Sequence, residues 1–496
     1  MSSIVISIDQ GTTSSRCIAF RREGTIVSQH NMEHKQITPH PGWLEHDPEE
    51  IVQNVESCLK KVLKDVNGLV VAGAGVTNQR ETTVAWRRST SKPLCNAIVW
   101  SDSRTQAIVD TMSERFGGHD FSRDTCGLPC STYFSAVKMK WMLENVPAVR
   151  DAADEADLCF GTIDSYLIWR LTNGRSFVTD VTNASRTMLM SLQHRQWDPT
   201  MCHNFGVDVS WLPRIASSSE ILGVTTVDSH QIVIAGCIGD QQAALVGHGC
   251  FAAGTAKNTF GTGCFLLVNS GTTIPVLTSG LLATVAFQLG ANAPCFYAVE
   301  GSIAGAGSAI QWLRDKMNFF SSASECETVA RSVPNNGDVI VVPAFSGLLA
   351  PYWRADARGL ILGITQQTTS GHITRATLES VAHQVTTVVN EIERTMNLQL
   401  QSLQVDGGMT KNTLLMQTQA DYLNKCVEVS PVEETTAFGA AICAALALGV
   451  WKRQELEQRL QSRRIKFTPA MKSSDRDRVR RQWAEAVPKT FGWAKL

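Results

Sequence analysis

Two short segments about 250 residues apart repeat one pattern, and that repeat constrains the fold more than any other feature of the chain. Near the start the sequence reads Ile4-Val5-Ile6-Ser7-Ile8-Asp9-Gln10-Gly11-Thr12-Thr13-Ser14-Ser15-Arg16. Midway it reads Lys257-Asn258-Thr259-Phe260-Gly261-Thr262-Gly263-Cys264-Phe265-Leu266-Leu267-Val268. In each, a Gly-Thr turn joins one apolar or β-branched stretch to another, as in a tight β-hairpin. Such a tip presents backbone N–H groups and hydroxyls with little bulk, and glycine lets a ligand come close. That chemistry suits phosphate oxygens. Two such tips, half a chain apart, point to one nucleotide held in a cleft between two related domains.

The rest of the pattern supports two similar halves. Residues 4–20 read as a strand pair, with a third strand near 25–29. Asp47-Pro48-Glu49-Glu50 reads as N-cap, first-turn proline and capping-box glutamate. Ile51, Val55, Cys58, Leu59, Val62 and Val66 follow at helical spacing. Residues 69–76, 82–86 and 97–100 carry strand signals. Residues 232–238 form a further strand, ended by Gly239-Asp240, and 241–246 start a helix. The second half repeats the order: hairpin 259–268, strands at 281–287 and 296–299, helix 302–317, strand 339–343, long helix 370–397 and strand 403–405. Asp406-Gly407-Gly408 then turns into a helix carrying Asn412. These elements predict an α/β protein with a mixed sheet in each half. The expected boundary is near 248, giving domains 1–248 and 249–496, within the length prior for 496 residues.

Several classes are excluded. A net charge of −1 gives no footprint for nucleic acid. The basic C-terminal stretch (Arg463, Arg464, Arg476, Arg478, Arg480, Arg481) reads as a solvated helix face. The longest apolar run, 437–451, is fifteen residues and fits a packed core helix; a membrane span needs about 20. No signal peptide is expected at the N-terminus. The fourteen cysteines are scattered without CxxC or zinc spacing, so reduced, mostly buried thiols are expected. GxxxxGK[ST], a strand-linked GxGxxG, GxSxG and HExxH are all absent. The phosphate turns therefore belong to another kind of nucleotide site.

Asp9-Gln10-Gly11-Thr12-Thr13-Ser14-Ser15-Arg16 resembles the first phosphate motif of the FGGY carbohydrate kinases, of the actin/sugar-kinase/Hsp70 superfamily. Residues 133–141 are similar to that family's first signature. Residues 359–364, with His372 and 376–379, are similar to its second. Segments 78–83, 97–100, 183–188, 239–245 and 257–265 resemble the glycerol-phosphorylating members in particular. The resemblance implies two related actin-like, ribonuclease H-like domains with a nucleotide cleft between them. It also implies ATP and Mg²⁺ as cofactors, glycerol as acceptor, no membrane insertion and a homodimer.

Site residues follow from the same resemblance. Asp240 is the expected general base, since a positioned carboxylate speeds attack by a weakly nucleophilic hydroxyl; capping the following helix is its alternative role. Arg80 and Glu81 are expected on the acceptor hydroxyls, because arginine only donates and ionised glutamate only accepts. Successive strand side chains diverge, so both reach one ligand only if the backbone bends there; a surface ion pair is the alternative. Trp100 and Phe265 are expected to cover the carbon edge of a small polyol, or else to pack the core. Tyr133 and Gln241 add polar contacts. Thr12, Thr13, Ser14 and Arg16 align with the first phosphate turn, and Thr262 and Gly263 with the second. Gly307, Gln311, Gly408 and Asn412 align with the adenosine side, and Asp9 with the Mg²⁺ carboxylate, acting through water. The stretch 227–231 lacks the Gly-Gly-Thr-Arg loop by which some members bind fructose 1,6-bisphosphate, so that regulation is not expected.

The final Ala494-Lys495-Leu496 resembles a Ser-Lys-Leu peroxisomal address. It implies a peroxisome-type microbody (peroxisome or glycosome) reached through its import receptor; a cytoplasmic protein is the alternative. Two other functions stay open on sequence: a sister kinase of another polyol, ketose or aldonate, and an actin- or Hsp70-like nucleotide switch.

Overall fold

The computed structural model describes residues 3–277 and 280–494. Lys495 and Leu496 of the tail motif lie outside the described residues.

The first half is built on a six-stranded sheet. Its strands are β1 (Ile4–Gln10), β2 (Ser14–Phe20), β3 (Ile26–Glu33), β4 (Val71–Asn78), β5 (Gly223–Val227) and β6 (His230–Gly239), in the order β5-β6-β4-β1-β2-β3. The second sheet contains β7 (Ala256–Phe260), β8 (Cys264–Gly271), β9 (Leu282–Gln288), β10 (Cys295–Ile303), β11 (Ser402–Asp406), β12 (Cys426–Val429) and β13 (Ile465–Phe467). Its order is β9-β10-β8-β7-β11-β12-β13. The two orders superimpose. In each, a central strand (β1 or β7) forms an antiparallel hairpin on one side and pairs in parallel with a later strand (β4 or β11) on the other. β9 is an extra edge strand in the second sheet. β1 is buried along its whole length, with Ile4, Val5, Ile6 and Ile8 in the core and the polar Asp9 and Gln10 at the carboxyl end.

Helices cover these sheets. Asp47 caps α1 (Pro48–Asp65) by accepting from the Glu49 N–H at 2.9 Å. Glu50 does not close the expected capping box; its carboxylate instead accepts from the Lys35 N–H, at 3.2 and 3.3 Å. The halves meet where α2 (Asp240–Gly247) crosses the apolar helix α6 (Thr435–Ala447). A Cβ on Gly247 would run into the Thr435 carbonyl, and one on Gly439 into the Ala243 carbonyl. Backbone-to-backbone approach at this crossing therefore requires glycine. No described helix is long and apolar enough to cross a membrane.

Other expectations shift with packing. Leu69 and Val70 are exposed, so β4 starts at Val71. Residues 302–303 finish β10, and the following helix, α3 (Gly307–Asp315), is shorter than 302–317. The long helix α4 (Ser370–Met396) ends at Asn397 in the left-handed region, φ 49°. Asn412 precedes α5 (Thr413–Leu423) and caps it by accepting from the Leu415 N–H at 2.9 Å. Two of the basic C-terminal residues are not solvated. Arg464, 6% exposed, pairs with Glu428 at 2.6 Å, and Arg480 donates to the Tyr422 carbonyl at 2.6 Å. All fourteen cysteines are free and most are buried.

Candidate active site

Both Gly-Thr segments form hairpin tips. In the first, the Gly11 N–H donates to the Ser14 carbonyl at 2.8 Å. In the second, the Gly261 N–H donates to the Gly263 carbonyl at 2.9 Å. The second tip also holds the start of α3: the carbonyls of Gly261 and Thr262 accept from the N–H groups of Gly307 and Ser308, both at 3.0 Å. Beside it lies a cavity of about 430 Å³ lined by Thr262, Gly307, Gln311, Gly408 and Asn412, among others. Five expected adenosine and phosphate residues thus share one cavity. Gly263 is not part of this lining, and a Cβ there would run into the Ile303 carbonyl, so the tip needs glycine at this position.

The carboxyl ends of the parallel strands bring the remaining residues to the cleft, where open α/β sheets bind ligands. Asp9 is the penultimate residue of β1, Gln79-Arg80-Glu81 follow β4, and Asp240 follows β6. Glu81 has φ 61°, a left-handed conformation rare outside glycine. That bend lets Arg80 and Glu81 serve one site despite being sequence neighbours. Neither is a surface residue: both side chains are 2% exposed.

Asp240 keeps 29% exposure, and its Oδ1 lies 3.3 Å from Arg80 Nε. It is the first residue of α2 rather than its cap, which is Gly239; its Oδ1 accepts from the Gln241 N–H at 2.7 Å. Burial pushes its pKa up to about 6 against the opposing charge of Arg80. It is therefore ionised at neutral pH yet basic enough to take a proton.

Aromatic side chains wall the same space. Trp100 lies 5.5 Å from Tyr133 and 6.4 Å from Phe265 between ring centroids, the latter edge-to-face. The indole N–H of Trp100 donates to Thr12 Oγ1 at 3.0 Å, tying this wall to the first phosphate turn. Lys138, fully buried, donates to the carbonyls of Thr132 and Tyr133, both at 2.7 Å, and so fixes the loop carrying Tyr133. Thr13 and Ser14 complete the first tip; the Thr13 carbonyl accepts from the His34 N–H at 3.2 Å.

Arg16 spans the cleft. It bonds Asp9 Oδ2 through Nε at 2.8 Å and through Nη2 at 2.7 Å, and reaches Glu434 at 2.7 Å through Nη1. Asp9 Oδ1 has no partner among the described residues. A hard oxygen left free at the cleft fits a divalent cation held through water.

Sequence reasoning missed three charged residues. Glu300, 0% exposed, accepts from Arg80 Nη1 at 2.6 Å and from Arg80 Nη2 at 3.0 Å. Arg186, also buried, donates to Glu81 at 2.6 Å and to Glu300 at 3.3 Å. Lys257 donates to Gln241 Oε1 at 2.6 Å. Burial lowers its pKa to about 8, with Asp406 and Asp240 opposing. A usable signal was present: Glu300 is a lone charge inside an apolar strand, which demands a buried partner.

Fold and cleft together define a two-lobed nucleotide-dependent phosphotransferase. Residues 4–247 match the N-terminal domain of the FGGY family of carbohydrate kinases, and residues 256–448 match its C-terminal domain. The chain belongs to this family. It is 48% identical to a glycerol kinase of Acidiphilium cryptum over 99% of this chain and 100% of that one. It is also 48% identical to glycerol kinase 2 of Thermotoga maritima, over 99% of each. The crystal structure of Plasmodium falciparum glycerol kinase with ADP superimposes with a TM-score of 0.93 at 39% identity, covering 100% of this chain and 99% of that one.

Proposed function

We propose that this protein transfers the γ-phosphoryl group of ATP to a terminal hydroxyl of glycerol, giving sn-glycerol 3-phosphate and ADP. The observation that carries this reading is the convergence of Asp240, Arg80, Glu81, Trp100, Tyr133 and Phe265 around one small cleft between the phosphate turns. Full-length relatives named glycerol kinase support the choice of acceptor.

Asp240 takes the hydroxyl proton as the oxygen attacks phosphorus in line. The new O–P bond forms while the bond to the β-phosphate oxygen breaks, and ADP departs. The reaction is reversible in principle. Backbone donors and hydroxyls of Thr12, Thr13, Ser14, Thr262 and Gly263 hold phosphate oxygens, and Arg16 offsets their charge. Gly307, Gln311, Gly408 and Asn412 receive the adenosine. Arg80 donates to acceptor hydroxyls, while Glu81, with Oε1 taken by Arg186, offers Oε2. Tyr133 and Gln241 add hydroxyl contacts. Lys257 holds the Gln241 carbonyl oxygen, so the amide NH₂ is turned out as a donor. Trp100 and Phe265 cover the carbon edge and exclude water. Mg²⁺, held through water by Asp9 with the phosphates, would neutralise phosphate charge.

A panel of acceptors tests this reading. Purified protein with ATP and glycerol, dihydroxyacetone or xylulose is assayed for ADP, and the product is identified by a stereospecific glycerol-3-phosphate dehydrogenase. Glycerol is expected to be the preferred acceptor and sn-glycerol 3-phosphate the product. Preference for xylulose would reassign the acceptor.

Two wider features belong to the same proposal. A homodimer is carried by the family resemblance, and sedimentation tests it. A microbody address is carried by the tripeptide Ala494-Lys495-Leu496. Loss of organellar import on deleting Leu496 tests it, and unchanged import would remove it.

A further inference from the structure

Arg80 is held from the opposite half of the molecule. It stands in the turn after β4 of the first sheet, while Glu300 stands in the middle of β10 of the second. Glu300 grips both terminal nitrogens of the guanidinium, at 2.6 and 3.0 Å, and Gln242 Oε1 takes a further Nη1 hydrogen at 3.3 Å. A guanidinium has five N–H donors in a rigid fork. With Nη1 filled and half of Nη2 used, what remains is the Nε edge and one Nη2 hydrogen. The Nε edge is the one that faces Asp240, at 3.3 Å.

Glu300 is wholly buried and presents no atom to the cleft. Burial would raise its pKa, but the charges of Arg186 and Arg80 more than reverse this and hold it at about 2. Arg80, Arg186, Glu81 and Glu300 thus form a neutral quartet of two cations and two anions. Removal of one member leaves an unmatched buried charge, which forces the others to rearrange.

We propose that Glu300 is a positioning residue for the acceptor, holding Arg80 in the orientation that meets the glycerol hydroxyls. It acts across the domain junction, so the acceptor site is complete only when the second sheet is seated against the first. The cavity assigned to adenosine has no such dependence, because its lining comes from the second half alone, and Glu300 touches none of the residues assigned to either phosphate turn. This inference rests on glycerol being the acceptor.

The test is steady-state kinetics of the full chain as wild type, Glu300→Gln, Glu300→Asp, Arg80→Gln and the Glu300→Gln/Arg80→Gln double variant, with ADP binding measured on each. Glu300→Gln is expected to raise the glycerol KM about ten- to hundredfold, with the ATP KM and ADP affinity within about twofold of wild type and kcat falling less than KM rises. Glu300→Asp, which keeps the charge, recovers part of the loss. In the Arg80→Gln background Glu300→Gln adds less than about twofold, since the two act as one unit. An unchanged glycerol KM in Glu300→Gln, equal losses toward ATP and glycerol, or full additivity with Arg80→Gln would overturn the proposal. If Glu300→Gln fails to bind ADP, the same readouts on Glu300→Asp decide. Failure of both to bind ADP would make Glu300 a purely structural residue and also overturn it. A wild type indifferent to glycerol would instead overturn the functional reading on which the proposal rests.

Discussion

The cavity we assign to the nucleotide and the wall we assign to the acceptor are made of different material. The cavity is lined by the second half, with Gly261, Gly307 and Gly408 beside Gln311 and Asn412. Its shape comes from backbone held by backbone, as in the hydrogen bonds from Gly307 and Ser308 to the second tip. The acceptor wall is made of side chains, most of them charged or aromatic, and drawn from both halves. Arg80, Glu81, Trp100 and Asp240 come from the first and Phe265 from the second, with Lys257 and Glu300 of the second buried behind them. A backbone-built pocket tolerates changes in its neighbours, whereas a buried charge network fails as a unit. The two sites should therefore separate cleanly under mutation.

The largest expected effect is on chemistry without binding. Asp240→Asn should lower kcat by at least about 100-fold while isothermal titration shows ADP affinity nearly intact. Near-normal turnover would remove Asp240 from the base role. The pH profile probes the same group. Because the base works ionised, kcat/KM should fall as pH drops through about 6, losing about tenfold per unit below that point. The Asn variant should lack that limb. Gly307→Ala should break the comparison from the other side. Its Cβ would lie 2.5 Å from the Gly261 carbonyl oxygen, and overpacking of this kind costs about 1–3 kcal/mol. The expected outcome is an ATP KM raised about tenfold with the glycerol KM unmoved. The smallest effect belongs to the residue that ties the acceptor wall to the first phosphate turn. Trp100→Phe removes the bond to Thr12, worth about 1 kcal/mol, so glycerol KM should rise about fivefold with a parallel small loss in kcat.

The same difference in material decides what the sequence makes legible. Turns built from contiguous residues, such as Gly261-Thr262-Gly263 and Asp406-Gly407-Gly408, declare themselves by spacing, so both hairpins are readable from the chain, whereas the cavity lining of Gly307, Gln311, Gly408 and Asn412 is reached only through the family resemblance. Periodicity likewise places β1, α1 and α4. Contacts between distant segments leave no such mark. Glu300 and Arg80 are 220 residues apart, and Arg186 and Glu81 are 105, so the quartet appears only once the halves are folded together. The bend that lets Arg80 and Glu81 converge is legible as a need but not as a fact, because nothing in the residue type of Glu81 announces φ 61°. Local signal errs where apolar residues stay exposed ahead of the strand, as at Leu69 and Val70, and where a tertiary contact takes the side chain, as at Glu50 with the Lys35 N–H.

The most direct test of a cleft in which acceptor and nucleotide meet is the glycerol dependence of ADP formation by the unmodified protein. ADP release is measured in one reaction before and after glycerol is added to saturation. Stimulation of at least about 100-fold is predicted, since Asp240 acts only on a bound hydroxyl. ADP release at a similar rate with and without glycerol would contradict it and leave a nucleotide-driven switch in place of a kinase.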